Sequence, residues 1–331
     1  MRSATVRIMN DVTLGPWVVR SAAAQKAPRA TRKLTVVAIA QAGTGAGGWH
    51  GHGWHEALPP GVELWPVELP GRGSRMDERA FSSMRPLVYA LADGLAPLLD
   101  GPYVVVGHSF GAWVAYELAQ ERWRRGETVP EKVYVSGNRA PSLAGAEHDA
   151  DALAPELHGL RGGAFWAAFE RRYGANPQLA VPAIRDFVED LLLADFQCLE
   201  TYRPLRGDPP LPVALAACGA KGDDRYGRDQ LAAWAGSCAA YEEVWFETTH
   251  EPWGTPHRYL LDAPGPLQRY LRADLEANVL PNVVAQNAVP PHPNAAARAD
   301  APPGSGACAY AALVAGLVAV YAATLYLPGT V

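Results

Sequence analysis

The chain has little cysteine: four residues in 331, Cys198, Cys218, Cys238 and Cys308, with no C-x-x-C pair and no histidine at metal-ligand spacing. This excludes a disulfide scaffold and fits reduced thiols in a cytoplasmic protein. There is no excess of positive charge either. The formal net charge is −5, which leaves no electrostatic footprint for nucleic acid. The first residues lack the apolar core of a secretory signal: residues 1–33 carry seven Arg and Lys against Asp11 alone. Residues 1–32 therefore read as a basic N-terminal arm. Between Pro281 and Gly306 apolar content is too low for a core, and the Pro/Ala-rich stretch 277–306 reads as a linker. Charge is wholly absent from Ala307 to Leu327, a length that matches one bilayer span. Its many alanines weaken the insertion signal, so a C-terminal membrane anchor and a helix docked on the protein both stay open.

What the chain does have is Gly107-His108-Ser109-Phe110-Gly111, a serine set between two glycines. Before it runs Tyr103-Val104-Val105-Val106, an apolar β-branched stretch that reads as a buried parallel strand. After it, Ala112 to Ala119 continues without proline or glycine and reads as a helix. G-x-S-x-G at a strand-to-helix junction is the nucleophile elbow of α/β-hydrolases, a turn too sharp for side chains at its flanking positions.

The surrounding pattern supports an α/β fold with a mostly parallel sheet and helices on both faces. Lys33–Ala40, Glu63–Leu69, Lys132–Gly137, Leu211–Ala217 and Glu243–Phe246 read as further strands, and Pro66 argues for an edge position or an irregular start for the second. A helix is expected over 83–99 and a closing helix from about Pro264 to Glu276. Between about 141 and 204 the pattern turns helical, around 151–158, 163–173 and 182–202. An all-helical insertion after the strand that follows the elbow is where such a fold carries a lid. The hydrolase domain then spans 33–276.

A serine hydroxyl is a poor nucleophile near neutral pH, so Ser109 needs a base within hydrogen-bond reach and a group to orient that base. In this fold the chain order is Ser, then Asp or Glu, then His. Asp223 and Asp224 follow the strand 211–217, and His250 and His257 follow the strand 243–246. An oxyanion hole needs two backbone N–H groups aimed at one point. Phe110 supplies one, and the small-residue loop after the first strand supplies the other near Gln41 or Ala42. His50, His52 and His55 sit in a glycine-rich segment whose only carboxylate is Glu56, a poor frame for a tetrahedral metal site.

Taken together, these residues resemble the type II thioesterases, the editing enzymes of polyketide and nonribosomal peptide assembly lines. Trp17–Arg20 and Ala40–Gly45 stand where that family has its leading segment and its F-P-x-A-G loop, although the phenylalanine-proline is replaced here. Leu69-Pro70-Gly71-Arg72-Gly73-Ser74-Arg75 matches L-P-G-R-x-x-R, and Gly107–Ala112 matches G-H-S-x-G-A. Ala194-Asp195-Phe196 with Glu200-Thr201-Tyr202 resembles the closing helix of the lid, and Leu231–Trp234 the helix after the acid. The resemblance covers about residues 16 to 275.

It implies Ser109 as nucleophile and Asp223 as acid, eight positions before Leu231. His257 fits the family's H-F-x-L run, whereas His250 fits the spacing from Phe246, so His250 remains the alternative base. The implied activity is hydrolysis of acyl thioesters on acyl or peptidyl carrier proteins bearing 4′-phosphopantetheine. No metal or organic cofactor is expected, and the protein is expected to act as a monomer. A carboxylesterase, a product-releasing thioesterase and a non-catalytic protein on a hydrolase fold are the competing readings.

Overall fold

A computed structural model describes residues 15–20, 32–51, 53–248, 255–262, 265–283 and 290–293. Six parallel strands form one sheet: β1 (Leu34–Ile39), β2 (Val62–Pro66), β3 (Tyr103–His108), β4 (Lys132–Ser136), β5 (Leu211–Ala220) and β6 (Cys238–Phe246). Their order across the sheet is β2-β1-β3-β4-β5-β6, and every paired neighbour is parallel. The central strands β1, β3 and β4 are buried along their whole length and read as largely apolar runs because both faces are covered. In β1, Val37 and Ile39 face one core and Leu34, Val36 and Ala38 the other. The first core holds helices α1 (Met84–Leu95) and α2 (Phe110–Arg124). The second holds Trp49, Trp54 and the closing helix α5 (Pro266–Asp274), through Leu267 and Leu271.

Strand order reverses between β1 and β3, because β2 lies on one side of β1 and β3 on the other. Ligands in open parallel sheets bind beyond the carboxyl ends of the strands at such a switch point. The loop after β1 and the turn after β3 both open there.

Between β4 and β5 stand α3 (Gly162–Tyr173) and α4 (Pro182–Thr201), which build a core of their own from Leu157, Phe165, Phe169, Leu192 and Phe196. The helix expected around 151–158 is not formed. Only a 3-10 turn at Leu157–Gly159 is present, because Pro155 disfavours helical backbone before it and Arg139, Arg225 and Arg172 draw Asp149 and Asp151 into ion pairs.

Boundaries shift elsewhere for local reasons. β2 ends at Pro66, which cannot donate to a ladder, and it is an edge strand. β6 begins earlier than expected, at Cys238, because its polar residues pair along β5 at an edge where one flank meets water. Residues 15–20 lie beside that first edge: Val18 bridges Val67, and the Arg75 guanidinium sits 4.1 Å above the Trp17 ring. Past Glu276 several of the described residues stay packed. Leu275–Val279 makes a π turn, Leu280 and Val283 touch the second core, and the Trp123 indole donates to Pro290 O at 2.8 Å. Among the described residues no helix is long and apolar enough to cross a membrane. The stretch 307–327, most of the expected basic arm and most of the expected linker lie outside the described residues.

Candidate active site

The turn after β3 is built by exclusion. A Cβ at residue 107 would stand 2.0 Å from Gly111 O, and one at residue 111 would stand 2.2 Å from Ile39 O. Only glycine lets β3, α2 and the end of β1 approach this closely. Ser109 between them takes φ 54°, the only non-glycine residue with positive φ among those described. Such backbone persists only where neighbours over-determine it. Here the Ser109 N–H donates to Ser136 O at 2.7 Å, and Asn138 Nδ2 donates to Ser109 O at 2.9 Å. Asn138 is a supporting residue that sequence reasoning missed; its placement just after β4 was the available signal.

Around Ser109 the sheet ends bring two distant segments together. His257 Nε2 lies 3.1 Å from Ser109 Oγ, and His257 Nδ1 lies 2.8 Å from Asp223 Oδ2. Both partners are nearly buried, with side chains 6% and 2% exposed. Asp224 next door is exposed to solvent. Burial by itself would raise the Asp223 carboxyl, but His257 and the Arg225 N–H outweigh it, and the net shift is below the usual carboxylate range. The carboxylate stays charged and holds the Nδ1–H tautomer, leaving Nε2 free to accept from serine. His257 is the second residue of the 3-10 turn Pro256–Leu261, where Thr255 Oγ1 accepts its N–H at 3.3 Å. Tyr226 and Tyr173 flank its ring at 5.4 and 5.9 Å. The alternative base, His250, lies outside the described residues.

His108 points away from the serine hydroxyl and supports the histidine. Its Nε2 is 2.9 Å from His257 O and its Nδ1 is 2.9 Å from Ser136 Oγ. A carbonyl can only accept, so Nε2 carries the proton and Nδ1 accepts from Ser136. The Tyr259 hydroxyl continues the chain to Ser136. Burial first, then the nearby His257, lowers the pKa of His108 to about 3, so the ring is neutral.

Phe110 opens α2, where first-turn N–H groups have no intrahelical partner. Gln41 and Ala42 lie across the crevice, and together with Ser109 and His257 they line a cavity of about 420 Å³. Its remaining wall is largely apolar, from Phe169, Val188, Leu192 and Phe196. The site thus pairs an orientable serine with an apolar slot, an arrangement suited to acyl transfer. His50 and His55 sit on separate short helices, and among the described residues no group of three or more His, Cys, Asp or Glu could hold a metal.

The "Thioesterase domain" family matches residues 39–262. The chain is 31% identical over 228 residues to AMB antimetabolite synthetase AmbE of Pseudomonas aeruginosa, a match covering 68% of this chain and 10% of AmbE. It is 27% identical over 204 residues to gramicidin S biosynthesis protein GrsT of Aneurinibacillus migulanus, covering 61% of this chain and 75% of GrsT. Among solved structures, the RedJ thioesterase from the prodiginine biosynthetic pathway of Streptomyces coelicolor superposes with a TM-score of 0.64 at 30% identity. That alignment covers 75% of this chain and 88% of RedJ. With the fold, the elbow and the matched span in agreement, the chain belongs to the thioesterase domain family.

Proposed function

We propose that this protein is an editing thioesterase of the type II kind, releasing acyl groups from the phosphopantetheine thiol of acyl or peptidyl carrier proteins in polyketide or nonribosomal peptide synthesis. The observation that carries the reading is the unbroken series Ser109 Oγ, His257, Asp223, at 3.1 and 2.8 Å, opening on an apolar cavity of about 420 Å³. GrsT is named for gramicidin S biosynthesis and RedJ as a thioesterase of the prodiginine biosynthetic pathway, and both names support a role in a biosynthetic pathway.

In this reading His257 Nε2 takes the Ser109 proton as Oγ attacks the thioester carbonyl. Negative charge develops on the carbonyl oxygen, where the Phe110 N–H and an N–H of Gln41 or Ala42 stabilise it. Collapse breaks the C–S bond, and the thiolate leaves with the proton from His257. Water then gives its proton to His257 and attacks the Ser109 ester, releasing the carboxylic acid and restoring the hydroxyl. Asp223 keeps the imidazole oriented and stabilises its charged form. Helices α3 and α4 act as the lid, since they wall the acyl slot.

The test is turnover of a panel of acyl-pantetheine and acyl-carrier substrates beside simple carboxylic esters. Hydrolysis of the thioesters and its abolition by Ser109→Ala, with the fold intact, are expected. Good ester cleavage without thioester turnover would overturn the assignment in favour of a carboxylesterase.

A further inference from the structure

The Leu69–Arg75 signature has no part in the Ser–His–Asp series, yet it contains a buried charge that reaches the active-site loop. Arg72 Nη1 and Nη2 donate to Asp195 Oδ2 and Oδ1 at 2.9 and 2.8 Å, a fork-on-carboxylate pair with side chains 5% and 1% exposed. Asp195 lies within α4, on the helical insertion. Its Oδ2 also accepts the Gly43 N–H at 2.8 Å. Gly43 in turn closes the β1 loop, where the Thr44 N–H donates to Gln41 O at 3.2 Å.

The amide plane between Ala42 and Gly43 is thus oriented by a carboxylate on α4, immediately after the two N–H groups of Gln41 and Ala42. One turn before Asp195, Leu192 packs on Gly43: a Cβ at residue 43 would stand 2.5 Å from its Cδ2. Leu192 also walls the acyl cavity. Farther along the loop, Glu68 Oε1 accepts the Ala46 N–H at 3.1 Å, so the next stretch of backbone is tied separately.

A buried ion pair is poor evidence of stabilisation, because desolvation offsets most of its attraction. What it does supply here is direction. Arg72 holds both oxygens of Asp195, so one lone pair stays aimed at Gly43, and it neutralises a carboxylate that would otherwise oppose charge developing on a nearby carbonyl oxygen.

We infer that Arg72 and Asp195 are positioning residues for the oxyanion loop, and that docking of α4 and alignment of the loop's N–H donors are a single event. The inference rests on the reading of Ser109 as the nucleophile of a thioester hydrolase. Substrate that seats α4 also assembles the hole, and an α4 that swings away disassembles it.

The test uses the full chain carrying Arg72→Met with Asp195→Leu, near-isosteric apolar replacements that a buried pair commonly tolerates. Turnover is expected to fall roughly 100-fold with KM within about twofold, the size of effect a misplacement of about 1 Å produces. Affinity for a trifluoromethyl ketone analogue, which forms a tetrahedral adduct on serine, should fall in parallel, while thermal unfolding stays close to that of the parent. Arg72→Lys keeps the charge but loses the fork, and reads the same effect should the double variant not fold; its kcat should fall several-fold at constant KM. Unchanged kcat in either folded variant, or a rise in KM alone, would overturn the inference. So would a loss of kcat without loss of ketone affinity. Ser109→Ala run alongside separates the two readings, because turnover surviving that change overturns the nucleophile itself.

Discussion

Replacing His108 by glutamine changes how the stability of this protein depends on pH, in a direction and by an amount that follow from its surroundings. The ring is fully enclosed, bonded to His257 O and Ser136 Oγ, and its pKa is lowered to about 3, by burial first and then by His257. In the unfolded chain the same ring titrates near its ordinary value of about 6.5. Between these two values the unfolded state binds a proton that the folded state refuses, so stability falls as pH falls. At pH 5 the difference spans about 1.5 pH units, which at roughly 1.4 kcal/mol per unit makes about 2 kcal/mol. At pH 7 almost none of this penalty remains. Glutamine offers a neutral donor and does not ionise, so its share of the acid dependence disappears. Urea unfolding of both proteins at pH 7 and pH 5 measures this directly. The parent should lose about 2 kcal/mol more than His108→Gln over that interval. Parallel losses would refute the argument, since they would mean that the buried ring titrates normally or that acid acts elsewhere.

Two further outcomes follow from the elbow and the acid. Gly111→Ala puts a Cβ 2.2 Å from Ile39 O and 2.7 Å from Ala40 O, both backbone atoms that cannot move aside cheaply. We expect a loss of about 1–3 kcal/mol in thermal or urea unfolding together with reduced turnover; parent-like values of both would refute the steric account. Asp223→Asn should leave the fold in place and lower kcat by about four orders of magnitude, because the imidazole loses its tautomer and its counter-charge. The folded Asp223 carboxyl titrates below its unfolded value, so its stabilisation is present at neutral pH and is lost as pH falls through the folded pKa. The asparagine variant should therefore unfold with a shallower acid limb below about pH 4, measurable by the same urea titrations.

Much of the site was legible in the chain because its chemistry is local. Gly107, Ser109 and Gly111 occupy a turn whose sterics involve only the adjoining strand, helix and one neighbour, so the pattern carries the geometry with it. The apolar runs of β1, β3 and β4 announced a sheet covered on both faces, since burial of alternate residues in two cores leaves few polar positions. Expectation failed where long-range partners decided. Pro155 is the one local signal against a helix over 151–158; Arg139, Arg172 and Arg225 add to it from distant elements by drawing Asp149 and Asp151 into ion pairs. β6 was read too short because its alternation is weak, and only pairing with β5 extends it.

The base shows the division most clearly. Sequence spacing left His250 and His257 both open, since one lies at the expected distance from the last strand and the other from the last helix. Reach to Ser109 and Asp223 depends on how a turn 148 residues beyond the serine is anchored, and that anchoring is a matter of tertiary contacts: the His108 ring on His257 O, and Thr255 beneath its N–H. The same holds for Arg72 and Asp195, which are 123 residues apart. From the sequence alone came the elbow with Ser109 as its candidate nucleophile, the sheet that presents it and the family to which the chain belongs, because those are set by short-range sterics and hydrophobic pattern. The tertiary structure alone brought His257 to Ser109 and the Asp195 carboxylate to the Gly43 N–H, because hydrogen bonds act over about 3 Å of space irrespective of distance along the chain.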